Sequence, residues 1–146
     1  MLGMMAASLL GGVLAMPARA AGEDEVVVYK DPACGCCGKW AEHMSRNGFR
    51  VRTVESRDMA SVKKRLGVPE ALASCHSAQV GGYVVEGHVP ASAIRRLLRE
   101  KPAVRGLAVP GMVIGSPGME EGGKKQPYDV IAFDRAGRTR VFETVR

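Results

Sequence analysis

Long apolar runs are nearly missing from this chain. The longest, residues 2–16, carries no charge but falls short of the ~20 residues that a membrane-spanning helix needs. Aromatic residues are scarce, at 5% of the chain, with a single tryptophan. The formal net charge is +6, yet few aromatics interleave with the scattered basic residues. Arg50, Arg52, Lys63, Lys64, Arg65, Arg95, Arg96, Arg99, Lys101, Arg138 and Arg140 therefore read as a solvated surface, and nucleic acid is excluded as a partner. There is no internal repeat. Only three histidines and four cysteines are available for metal or nucleophilic chemistry.

What is present is concentrated. Cys34-Gly35-Cys36-Cys37 packs three of the four cysteines into one turn of backbone, and Cys75 stands directly before His76. Thiolates are soft ligands and strong nucleophiles, so such a cluster means metal capture or thiol redox chemistry.

The first residues set the compartment. The apolar run is followed by Pro17 and by Ala18-Arg19-Ala20, which fits the small-x-small rule for signal-peptide cleavage. No Lys or Arg precedes the run, which is atypical of such signals. The expected organisation is a cleaved signal over 1–20, a polar linker over 21–25, and one domain over 26–146. No stable membrane anchor remains after cleavage. Export places the cysteines in an oxidising compartment, where four of them often form two disulfides. Bridges within 34–37 would close tiny loops and remove little chain entropy. These sulfurs are placed for chemistry rather than for stapling.

Val26-Val27-Val28-Tyr29-Lys30 predicts a buried strand, broken by Asp31-Pro32-Ala33. Cys37, Trp40, Ala41 and Met44 repeat at i, i+3, i+4, i+7, one face of a helix stopped by Gly48. Residues 49–55 alternate as a second strand. Asp58 caps a short helix with Met59, Val62 and Leu66 inward, closed by Gly67 and Pro69. Residues 77–80 and 83–88 form a hairpin around Gly81-Gly82. Pro90 opens a third helix with Ala91, Ile94, Leu97 and Leu98 on one face. Residues 103–127, rich in Gly and Pro, read as a long structureless stretch, which in a compact domain is functional or disordered. Residues 128–134 and 139–145 form a closing hairpin. The order strand–helix–strand–helix–hairpin–helix predicts an α/β (α+β) domain with a thioredoxin-like central sheet. In that architecture the first strand-to-helix turn carries Cys-x-x-Cys, here with an extra cysteine inside.

A helix N-terminus stabilises a thiolate through free N–H groups and the helix dipole. This suits a redox thiol and a metal ligand alike. Three thiolates plus Cys75 exceed what a two-electron switch needs, and the remaining soft donors are methionines, which bind Cu(I) but hardly Zn²⁺. Cu(I) is the favoured cofactor, with Cys34, Cys36, Cys37 and Cys75 as ligands and more than one ion feasible through bridging sulfurs. Met112, Met119, His76 and His88 are secondary candidates. Met112 and Met119 stay open between ligand and loop anchor, and His76 and His88, taken alone, read as surface or hydrogen-bonded residues. His43 lies opposite the apolar stripe and reads as solvated, while Met44, Met59 and Trp40 read as core. No catalytic residue is firm. The alternative activity is a thiol–disulfide oxidoreductase using Cys34 and Cys37, and a weaker one is a structural Zn²⁺ site, which adjacent cysteines make awkward.

Longer segments carry a resemblance. Tyr29-Lys30-Asp31-Pro32-Ala33-Cys34-Gly35-Cys36-Cys37-Gly38-Lys39-Trp40, Ser74-Cys75-His76, 80–90, Gly106-Leu107-Ala108-Val109-Pro110-Gly111-Met112 and Gly115-Ser116-Pro117-Gly118-Met119-Glu120 resemble the CopG-type family of small exported bacterial proteins linked to copper resistance. The resemblance implies a thioredoxin-like fold with copper held by Cys34, Cys36, Cys37 and Cys75. It also matches the family's Gly-Met elements at Met112 and Met119. One departure is Val113, where the family commonly has proline. The expected role is copper homeostasis in the periplasm by holding, relaying or changing the oxidation state of copper, with other periplasmic copper-handling proteins as partners.

Overall fold

The structure, a computed structural model, describes residues 25–146. The expected export signal (1–20) and residues 21–24 of the expected linker lie outside the described residues.

Strand β1 (Glu25–Lys30) begins one residue earlier than its apolar run suggests, because Glu25 pairs with Arg50 of β2 (Arg50–Glu55) in parallel register. Helix α1 (Gly35–Arg46) lies between them in sequence and buries Cys37, Trp40 and Met44. Those residues make the predicted stripe. Helix α2 (Met59–Leu66) starts where Asp58 accepts a hydrogen bond from the Ser61 N–H and ends at Gly67, whose φ of 74° is the left-handed C-cap conformation. A single 3-10 turn, Glu70–Leu72, leads into β3 (Ser77–Val80), which forms a hairpin with β4 (Tyr83–Glu86). Gly81 and Gly82 both have positive φ, as a two-residue hairpin turn of this hand demands. Helix α3 (Ala91–Glu100) follows, burying Ala91, Ala93, Ile94 and Leu97.

The 103–127 segment is less irregular than its composition suggests. It contains a three-residue strand, β5 (Gly106–Ala108), fully buried and paired parallel to β4 and antiparallel to β6 (Tyr128–Phe133). Gly106 has no side chain because a Cβ there would lie 1.9 Å from the Val84 carbonyl oxygen. Through β5, the closing hairpin of β6 and β7 (Thr139–Val145) joins the main sheet instead of hanging from it. The result is one mixed sheet of seven strands in the order β2-β1-β3-β4-β5-β6-β7.

Alternation along β4 sorts the core into two layers. Val85 packs with Val26, Val28, Trp40, Met44, Ile94, Leu97 and Leu107 on the face that includes α1 and α3 residues. Val84 packs with Val62, Leu66, Leu72 and Phe133 on the α2 face. Each fully buried large side chain contributes roughly 1.5–3 kcal/mol, so the sheet is a stiff platform. Among the described residues no helix is long and apolar enough to cross a membrane.

Candidate metal centre

Two pieces of chain meet to make the site. The first is the turn from β1 into α1. Asp31 closes it, accepting the Ala33 N–H on its side chain at 2.8 Å and the Cys34 N–H on its carbonyl at 3.0 Å. Cys34 is then the N-cap of α1, whose first turn contains no acidic residue, so its N–H groups and positive dipole end face the sulfurs. Helical winding brings Cys34 and Cys37 together. Their Cα atoms are 5.4 Å apart and their sulfurs are joined as a disulfide. Cys36 is free, with its Sγ 3.6 Å from that of Cys34.

The second piece is the bend before β3, together with the residues that follow β4. Cys75 is also free, with its Sγ 3.9 Å from Cys36 Sγ. It lies 3.3 Å from His76 Nδ1 and 3.1 Å from His88 Nε2. The predicted donors therefore form two overlapping groups, Cys34–Cys36–Cys37–Cys75 and Cys75–His76–His88, each with its donor atoms within 4.8 Å of one another. Cys75 belongs to both.

Of the two readings open to His76 and His88 taken alone, surface or hydrogen-bonded, the surface one fails for both, because both are fully buried. His88 Nδ1 lies 2.7 Å from the Pro117 carbonyl. A carbonyl only accepts, so Nδ1 carries the proton and neutral His88 turns its Nε2 lone pair toward Cys75. Burial lowers the His88 pKa, and it lowers that of His76 much further, helped by the neighbouring His88 and Lys63. Both rings are thus neutral donors near pH 7. His76 Nε2 is buried without a hydrogen-bond partner, and the ring lies tilted against that of Trp40, their centroids 4.6 Å apart. The nitrogen beside the Cys75 thiol is the other one, Nδ1, so a soft metal ion could take either ring nitrogen as a donor. Trp40 is core, as expected, with its indole N–H donating to the Val89 carbonyl at 2.9 Å. Burial and the adjacent Cys36 push the Cys75 thiol up to about 12.

The Gly/Pro-rich segment straps this centre from both sides. At one side the Ser74 hydroxyl donates to the Gly111 carbonyl at 2.6 Å, immediately before Met112. At the other, Gly118 lies so close that a Cβ would stand 2.9 Å from Trp40 N and 3.0 Å from the Cys36 carbonyl, and its φ is +88°. Met119 follows it, partly buried, whereas Met112 is 48% exposed. Lys39 of α1 pairs with Glu121 of the strap. His43, expected in solvent, instead accepts the Ala91 N–H at 3.2 Å through Nε2 and tethers α1 to the start of α3.

Sequence reasoning missed Glu86. Fully buried, its carboxylate accepts from Ser74 N at 2.7 Å, from the Ser77 hydroxyl and from Lys63. Burial raises its pKa while Lys63 pulls the other way. The available signal was a lone acid in the otherwise apolar run Tyr83-Val84-Val85.

A family model described as "Protein of unknown function, DUF411" matches residues 72–119, the stretch from the Cys75 bend to the strap. Comparison with curated proteins gives no match. A solved structure named "Copper resistance protein copG- Form 2" is 44% identical with a TM-score of 0.79, the match covering 84% of this chain and 98% of that one. A second, "Copper resistance protein copG- Form 1", is 45% identical with a TM-score of 0.78, covering 83% and 96%. A soft-donor cluster capable of holding metal, on a chain this similar to copper resistance proteins over nearly its whole described length, has one family reading: the chain belongs to the CopG family of copper resistance proteins.

Proposed function

We propose that this is a periplasmic Cu(I)-binding protein that takes up copper during copper stress. The observation that carries the reading is the overlap of two donor groups at Cys75, four sulfurs on one side and two neutral imidazoles on the other. Thiolate sulfur and imidazole nitrogen suit Cu(I), and a thiolate shared by two groups can bridge two ions. Cys34, Cys36, Cys37 and Cys75 are the primary ligands, His88 and His76 extend the site, and Met119 and Met112 are ligands carried on the strap. Periplasmic residence is supported by the apolar run and Ala18-Arg19-Ala20 ahead of the domain. Other periplasmic copper-handling proteins are then the donors or acceptors of the ion.

Competition with a chromogenic Cu(I) chelator, run on reduced protein without oxygen, tests the reading. Tight binding that collapses in Cys36→Ser is expected, because Cys36 is the sulfur that links the two pieces of the site. Weak binding indifferent to Cys36→Ser would contradict it.

A second reading has its own observation. The bonded pair Cys34–Cys37 sits at the N-terminus of α1, where a thiolate leaving group is stabilised. This supports a thiol–disulfide oxidoreductase. Turnover of a disulfide substrate by metal-free protein, surviving Cys36→Ser, would favour it over copper binding.

A further inference from the structure

We propose that Glu86 is a positioning residue for the metal centre, its buried carboxylate holding residues 74–77 so that Cys75 meets the cysteines of α1. The inference rests on the copper reading above, in which Cys75 is a ligand. Three donors converge on this one carboxylate, and two of them, Ser74 N and the Ser77 hydroxyl, lie on either side of Cys75 and His76. The carboxylate therefore ties together the ends of a four-residue segment that supplies two of the candidate ligands. The third donor, Lys63, comes from α2, which contributes no candidate ligand. Lys63 also donates to the Ser77 hydroxyl at 3.2 Å, closing the network.

The arrangement is costly for a strand residue. An ionised carboxylate with no exposed surface loses its hydration and needs every donor it has. A valine like its neighbours Val84 and Val85 would pack there without that cost. What the carboxylate does, and an apolar side chain would not, is fix the Ser74 N–H. Ser74 then places Cys75 3.9 Å from Cys36 while its hydroxyl grips the strap at Gly111. The strand ends at Glu86, and the chain turns at Gly87, where a Cβ has no room because Ser74 stands 2.6 Å from where it would be, before reaching His88. Glu86 thus sets Cys75 and His88 in register with each other without touching either. Lys63 balances its charge, so the carboxylate does not oppose formation of thiolates nearby by repulsion alone.

The test is a double-mutant cycle read by Cu(I) affinity on the reduced protein, using chelator competition. Cys75→Ser should weaken binding. Glu86→Gln, which keeps the shape and removes the charge that holds the donors, should weaken it about 10–100-fold, the usual effect of losing a group that orients a ligand. In the Cys75→Ser background the same Glu86→Gln change should alter affinity by less than about twofold, because the residue through which it acts is gone. Glu86→Asp keeps the charge and retracts the carboxylate by one methylene from Ser74. It should also weaken binding, and it replaces Glu86→Gln in the cycle if the glutamine variant does not fold. In metal-free reduced protein either variant should speed alkylation of Cys75 relative to Cys36. If Cys75→Ser leaves affinity unchanged, the copper role of Cys75 fails. If Cys75→Ser weakens binding but the Glu86 variants do not, or weaken both backgrounds equally, the positioning role is overturned while the copper reading stands.

Discussion

At Cys75, burial and the nearby Cys36 hold a thiol protonated that a metal ion would need as thiolate, its pKa pushed up to about 12. A metal ion bound through this sulfur would therefore have to displace a proton at any ordinary pH. Cu(I) affinity should rise with pH across 6 to 8 by about tenfold per unit for each thiol proton displaced. Competition titrations at several pH values should give that slope, and Cys75→Ser should reduce it by one proton. His76 carries the opposite kind of shift. Its folded pKa is depressed by burial, so below its unfolded value of about 6.5 the unfolded chain binds a proton that the native state refuses. Stability of the metal-free protein should consequently be full above about pH 6.5 and fall below it, by about 1.4 kcal/mol per pH unit for this residue. Urea unfolding at pH 7.5 and 5.5 checks this, and His76→Gln should flatten the dependence. The four cysteines announced themselves by spacing alone. The burial of His76 and His88 did not, because a lone histidine has no pattern, and the neighbours here come from α1, the bend before β3 and the strap.

Elements were most legible where a short period met a clear stop. The Cys37, Trp40, Met44 stripe marked α1, and Asp58 with Gly67 marked both ends of α2. Strand β5 was hidden because three residues are too few to show alternation and Gly106 argues against a strand on propensity. Only the packing explains it: the chain passes so near Val84 that no Cβ fits. Gly106→Ala should cost about 3 kcal/mol or more, since the intruding methyl meets backbone and not a yielding side chain. The drop in urea midpoint would measure it. The strap makes a related prediction. Gly118→Ala adds a methyl against Trp40 N and the Cys36 carbonyl at a positive φ, so stability should fall by about 1–2 kcal/mol and copper should dissociate faster from the loosened site. An unchanged off-rate would mean that the strap does not cover the bound ion.

For the molecule as a whole, oxidation state decides what the site can hold. With Cys34 and Cys37 bonded, only Cys36 and Cys75 keep free thiols. Two electrons and two protons are needed to free the other pair. Alkylation followed by mass spectrometry should tag two cysteines in the unreduced protein and four after reduction, and copper capacity should follow the same order. The fold class was readable because the early elements arrive in an order that few architectures share. The way the last hairpin extends the sheet was not, since it depends on β5. The central claim is that copper is the ion and sulfur its main ligand. Metal analysis and copper X-ray absorption on protein purified without oxygen from copper-fed cells test it directly. At least one Cu(I) per chain with a sulfur-dominated shell, lost on removing Cys36, is the expected result. Protein that comes out with zinc, with no metal, or with copper ringed by oxygen and nitrogen alone would contradict it.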